Sequence, residues 1–154
     1  MENLSSQIKK FFRGDVADDE ETLKKYSTDA SIFEVKPRLV VFPMDSKDIS
    51  VLIKWVEEHK KDDPTLSVTA RSAGTCMSGG SLNESIIMDF TKYMNKIISV
   101  RYVPEYNILP KFSGAKNDVA ISGEAVVQPG CFYRDFETET LKYNLLLPCY
   151  TASK

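Results

Sequence analysis

The hydrophobic pattern changes period sharply between residues 38 and 60. The run RLVVF (38–42) is apolar after its first residue and is bounded by Pro37 and Pro43, the pattern of a strand buried on both faces. The stretch that follows, MDSKDISVLIKWVEEHKK, changes to a spacing of three and four. Ile49, Leu52, Ile53 and Val56 then recur on one face of a helix. Asp45 or Ser46 is placed to cap its start, and the pattern predicts an end near Lys60, before the DDP at 62–64. Trp55 adjoins the apolar stripe and reads as core. His59, the only histidine, falls among lysines in the last turn, where the helix C-terminus favours a cation. No histidine-based catalysis is therefore expected from this chain.

Shorter apolar runs follow. SVTA (67–70), SIIMDF (85–90), KIISVRYV (96–103) and EAVVQPG (124–130) read as strands, the last ended by Pro129-Gly130. CFYRDFETETLKYN (131–144) carries Phe132, Phe136 and Leu141 at rough helical spacing, and LLLPCYTASK closes the chain with a turn-like tail. Upstream, SSQIKKFF and DDEETLKKY read as short helices separated by a break at Gly14-Asp15. Strand, helix, strand near the start predicts a βαβ unit with a parallel pair. The expected class is α+β, mixed α/β, in two small lobes. Residues 1–30 form a helical extension, 31–95 the first lobe, and 96–154 the start of a second.

Composition narrows the function classes. The chain has 154 residues, one domain's worth. Its 20 basic and 22 acidic side chains give a net charge of −2, which offers no electrostatic case for nucleic acid. No run approaches the ~18 apolar residues of a membrane span, and the N-terminus lacks a signal peptide's apolar core. A cytoplasmic location is the expectation. Cys76, Cys131 and Cys149 are widely spaced with no C-x-x-C pair, so neither a zinc site nor a disulfide framework is predicted.

Candidate chemistry concentrates in RSAGTCMSGG (71–80), a loop of small residues between two predicted strands. Such a loop lets the backbone approach a ligand, and successive N–H groups can form a nest for an anion. Hydroxyls of Ser72, Thr75 and Ser78 add donors. Arg71 supplies charge at the rim or pairs with a carboxylate of the fold. Phosphate or pyrophosphate fits best. A Walker A loop is excluded because no lysine follows Gly79 or Gly80, and G-x-G-x-x-G is absent. The next element reads as a strand, so capture by a helix dipole is not the expected mechanism. The competing reading is a tight turn that needs positive φ.

The blocks around this loop occur in a specific order: YSTDASIFEVKPRLVVFPMDSKDI, SVTARSAGTCMSGGSLNESIIMDFTKYMNKI, AVVQPGCFYRDFETETL and LLLPCYTAS. Over residues 22–154 the chain resembles the PCMH-type FAD-binding domain of the vanillyl-alcohol oxidase superfamily. The similar branch is the FAD-linked oxidases that include glycolate oxidase and D-lactate dehydrogenase. The resemblance implies a two-lobed flavin domain with the loop on the FAD pyrophosphate, matched here by Arg71, Ser72, Ala73, Gly74, Thr75, Cys76, Met77, Ser78 and Gly79. It also places Pro129, Gly130, Pro148, Tyr150, Thr151 and Ser153 near the cofactor. It implies hydride transfer from a 2-hydroxy acid, such as D-lactate or glycolate, to flavin N5. Relatives with covalent flavin carry histidine where Thr75 stands, so FAD is expected to be held non-covalently. The family continues past the point matched by Lys154, so the second lobe is expected to be incomplete and no catalytic residue can be assigned. An open sheet edge there would favour self-association. The alternatives are a non-catalytic FAD-binding module that pairs with a separate partner chain, and an unrelated α/β anion-binding domain.

Overall fold

The computed structural model describes residues 3–103 and 123–147. Residues 1–30 hold helix α1 (Leu4–Ile8), strand β1 (Asp15–Ala17) and helix α2 (Glu20–Tyr26). Asn3 caps α1 by accepting from Ser5 N–H, and Asp19 caps α2 by accepting from Thr22 N–H. Acids lead and lysines end α2, matching its dipole. The predicted break at Gly14-Asp15 contains β1, which three residues were too few to signal. That strand pairs antiparallel with β2 (Leu39–Phe42). An ion pair from Lys92 and a 2.7 Å bond from Tyr93 Oη to Asp15 tie it to the chain after β4 (Ile86–Asp89).

Helix α3 (Ser46–His59) begins at Asp45, whose side chain accepts from Lys47 and Asp48 N–H, and ends at Lys60. Leu52 and Val56 are buried and Ile49 packs against the same core, but Ile53 faces solvent. Trp55 packs at the edge of that core, stacked 4.2 Å from His59. His59 Nδ1–H donates to the Trp55 carbonyl at 2.8 Å, closing the last turn.

Strands β3 (Val68–Arg71) and β4 complete a four-stranded sheet in the order β1-β2-β4-β3. The predicted βαβ unit is present as β2-α3-β3, but its two strands are not neighbours. Strand β4 lies between them, parallel to both. Its central position explains why all four of its residues are buried. Alternation sorts the sheet into two faces. Leu39, Val41, Ile86 and Met88 meet Ile8, Phe12, Leu52 and Val56 on one side. Val40 and Ile87 meet Leu23 and Tyr26 on the other. Fully burying one such aliphatic side chain contributes about 1.5–3 kcal/mol.

Strands β5 (Ile97–Tyr102) and β6 (Gly123–Val127) form a separate antiparallel pair, followed by helix α4 (Tyr133–Leu141). Phe132 is the N-cap of α4 and is exposed, and Leu141 is exposed too; Thr140 is buried instead. The helical spacing was right, but the buried face was not the one those aromatics suggested. This part joins the first sheet at one turn. There Gly130 N–H donates to the Met94 carbonyl at 2.8 Å, and Gln128 pairs with Lys96. A Cβ on Gly130 would sit 2.2 Å from the Phe90 carbonyl oxygen, so only glycine lets the turn lie against the end of β4. Among the described residues no helix is long and apolar enough to cross a membrane.

Candidate functional site

The parallel pairing of β3 and β4 decides what residues 72–85 must do. Parallel neighbours cannot be joined by a tight turn, so the chain must travel back along the sheet. The small-residue loop is therefore a crossover without a helix. It leaves the carboxyl end of β3, the end of an open α/β sheet where ligands commonly bind.

An arm formed by residues 28–34 holds this crossover from one side. The arm closes on itself through a bridge between Thr28 and Glu34. Ala30 N–H donates to the Gly74 carbonyl at 3.1 Å. Ser81 Oγ donates to Asp29 at 2.8 Å, and the Phe33 ring occupies the place a Cβ on Gly79 would take. The Asp29 carboxyl is held below its ordinary range by Ser31 first and also by Ser81. Arg71 closes the brace. Its guanidinium donates to the Thr28 carbonyl at 2.9 Å and the Tyr26 carbonyl at 3.3 Å, and lies 5.0 Å from the Tyr26 ring centre. Beneath it, Tyr26 Oη donates to buried Asp89 at 2.6 Å, and Asp89 also accepts from Thr91 N–H and Oγ1. Burial, then the bond to Asp89, pushes the Tyr26 hydroxyl well above its ordinary value.

On its other side the crossover lines a cleft of about 350 Å³. Ala70, Arg71, Ser72, Ala73, Gly74, Thr75, Cys76 and Ser81 form one wall, and Cys131, Phe132 and Tyr133, at the start of α4, form the other. No carboxylate is among these residues. Gly74 and Gly79 have φ of +68° and +78°, so the positive φ of the turn reading is present within a ligand-sized cleft. Ser72 and Thr75 hydroxyls make no hydrogen bond among the described residues, which leaves them available to a ligand. Cys76 Sγ shares a 3.3 Å bond with Ser78 Oγ and accepts one from Gly80 N–H. These bonds, Ser78 first, hold its thiol below the usual value. Burial, then the Asp135 charge, raises that of Cys131.

The sequence-predicted residues thus divide. Those at 71–76 come together on the cleft wall. Met77 points into solvent, Ser78 engages Cys76, and Gly79 packs under Phe33. Pro129 and Gly130 do not line the cleft; Gly130 packs on Phe90 and Thr91 backbone. Pro148, Tyr150, Thr151 and Ser153 lie outside the described residues. Arg71 bonds backbone carbonyls rather than a carboxylate. Ser81 and residues 131–133 were not foreseen. The first turn of α4 faces this cleft with no side-chain cap at Phe132, so a helix N-terminus takes part after all, from a later element than the one considered.

Small residues, free hydroxyls, a positive-φ glycine and the absence of carboxylates fit one part of a large anionic cofactor, its pyrophosphate. Comparisons with known proteins agree. A family model described as FAD binding domain matches residues 37–154. D-2-hydroxyglutarate dehydrogenase of Escherichia coli (strain K12) is 34% identical over 89 residues, 58% of this chain and 8% of that protein. The Pseudomonas putida protein of the same name is 32% identical over 89 residues, covering 9% of its length. The chain thus spans less than a tenth of these curated relatives. A solved structure of alkyldihydroxyacetonephosphate synthase superposes with a TM-score of 0.60 at 15% identity, over 90% of this chain and 24% of that one. A second structure of that synthase gives a TM-score of 0.56 at 17% identity. With a family match over well more than half its length, the chain belongs to the FAD-binding domains of the PCMH type, in the vanillyl-alcohol oxidase superfamily.

Proposed function

We propose that this chain forms the pyrophosphate-holding portion of a flavin-dependent dehydrogenase or oxidase that acts on a 2-hydroxy acid. The observation that carries the reading is the braced crossover, which turns its backbone and free hydroxyls toward a carboxylate-free cleft. Ser72 and Thr75 would donate to phosphate oxygens, and Gly74 lets the main chain come close. The N–H groups at the start of α4 would approach from the opposite wall with the positive end of the helix dipole. Residues 148–153 complete the contact set on the sequence reading. Bound FAD supplies the hydride acceptor; this chain's part is to bind and orient it. Thr75 offers no ring nitrogen to bond the flavin, so attachment is non-covalent. The substrate class rests on the relatives named D-2-hydroxyglutarate dehydrogenase and on the sequence resemblance. The cytoplasmic location belongs to the same reading.

A second reading, a non-catalytic FAD-binding module that pairs with another chain or with itself, is favoured by one feature. The two-stranded β5–β6 unit exposes Ile98, Tyr102, Val126 and Val127, and an isolated strand pair is marginal without further partners. The test is the visible spectrum of the purified chain after incubation with FAD and desalting. Retained flavin absorbance that acid precipitation releases into the supernatant supports non-covalent binding here. A folded, colourless chain that also stays colourless with added partner segments overturns the reading.

A further inference from the structure

Two thiols line the same cleft from different elements. Cys76 belongs to the crossover and Cys131 to the segment entering α4. Both are free and partly accessible. We propose that Cys76 is an oxidant-sensitive thiol of this cleft and that Cys131, on the facing wall, resolves it to a disulfide.

The surroundings give the two thiols different parts. Cys76 Sγ accepts from Gly80 N–H and shares a bond with Ser78 Oγ, both at 3.3 Å, contacts that favour the thiolate, which is the reacting form. Its lowered pKa has the same direction. Cys131 has a single bond, from Sγ to the Phe132 carbonyl at 3.6 Å, and its pKa is raised by burial. It is the poorer first nucleophile and suits the second step.

The chemistry balances with a hydroperoxide as oxidant. The Cys76 thiolate attacks one peroxide oxygen, the O–O bond breaks, and hydroxide leaves and takes up a proton as water. The Cys76 sulfenic acid is then attacked by the Cys131 sulfur, which loses its proton. The S–S bond forms and a second water departs. Two thiols are oxidised by two electrons in total, and the peroxide is reduced to water. A disulfide needs Cα atoms about 4.4–6.8 Å apart, so the bond draws the two walls together. On the proposed function, the closed cleft excludes pyrophosphate.

The experiment treats the full chain, free of FAD, with a modest excess of hydrogen peroxide. Remaining thiols are alkylated and the peptides mapped without reduction. The expected product is a Cys76–Cys131 linked peptide. Cys131→Ser should leave a sulfenic acid at Cys76, trapped by dimedone. Cys76→Ser should slow peroxide consumption roughly tenfold. Linkage mainly to Cys149, or no linked peptide at all, overturns the proposal. A repeat with saturating FAD separates it from the functional reading. Slower linkage supports both, whereas linkage at an unchanged rate keeps the thiol pair and removes FAD from this cleft.

Discussion

Replacing Gly74 by alanine tests the brace between the crossover and the arm. The perturbation has a backbone part and a contact part. Gly74 sits at φ +68°, where an L-residue costs about 1–2 kcal/mol, and the stiffer unfolded chain offsets about 0.4–1 kcal/mol of that. The contact part falls on Arg71: the new Cβ would lie 2.5 Å from Nη2 and 2.8 Å from Cζ. The guanidinium can swing away only by leaving the carbonyls of Tyr26 and Thr28 and the face of the Tyr26 ring. For a half-buried arginine those bonds amount to about 1–2 kcal/mol together, well under the figure for fully buried charged bonds. Gly74→Ala should therefore destabilise the chain by about 2–3 kcal/mol, read from the urea midpoint with the slope unchanged. The mechanism predicts more than the size. In an Arg71→Ala background the contact part vanishes, so Gly74→Ala should cost only about 1 kcal/mol, a coupling of about 1–2 kcal/mol. Costs that add to within about 0.3 kcal/mol would refute the reasoning, because the guanidinium would then not be what the new methyl meets.

Two further substitutions probe the frame beneath the cleft. Gly130→Ala sets a Cβ against the carbonyl oxygen and carbon of Phe90 and Cα of Thr91, at 2.2, 2.4 and 2.8 Å. All three are backbone atoms, so the turn must move off β4. Amide exchange in β5 and β6 should accelerate at least roughly tenfold, the equivalent of about 1.4 kcal/mol, and unchanged exchange counts against that docking. Tyr26→Phe strips a donor from buried Asp89 and should cost about 1–3 kcal/mol at neutral pH. The sign of its pH dependence follows from the raised Tyr26 hydroxyl. Above the ordinary value of 10.0 the unfolded chain has lost this proton while the folded chain keeps it. Wild-type stability must then fall with rising pH, by up to about 1.4 kcal/mol per unit, through a route the variant lacks. The difference between the two proteins should shrink from about pH 9 to pH 11. A constant difference would mean the hydroxyl is not held protonated by the fold.

The elements legible in the sequence were those whose burial is uniform or periodic. The run at 38–42, the stripe of α3 and the apolar block at 85–90 each signal their state locally. Strand β1 did not, since its three residues gain their place from pairing with β2 rather than from their own pattern. The order of the sheet was also hidden. Nothing in the apolar block reveals that β4 lies between β2 and β3, because buried strands of a parallel sheet look alike whichever neighbours they have. Arg71 shows the same limit at the site. Its charge suggested a carboxylate or an anion, and its actual partners are two carbonyls that folding brings from over forty residues upstream.

The position of β4 also accounts for the loop's poverty in side chains. A parallel crossover normally carries a helix, which satisfies its own backbone. Residues 72–85 carry none, so their polar backbone groups must find partners elsewhere. The arm supplies some of them on one side, through Ala30 to Gly74 and through the Asp29–Ser81 contact beside it. Larger residues at Ala73 or Gly74 would fill the space that the arm and Arg71 use. The remaining groups face the cleft, where a bound anion can satisfy them. On this view the same small residues serve twice, letting the arm brace the crossover from behind and leaving its front open to phosphate. The two uses can be separated by experiment. Ser72→Ala touches no group of the brace, so it should leave the urea midpoint within about 0.5 kcal/mol of wild type while weakening flavin retention. An equal loss of stability and retention would mean the hydroxyl belongs to the brace, and the division of the crossover into a structural back and a binding front would fail.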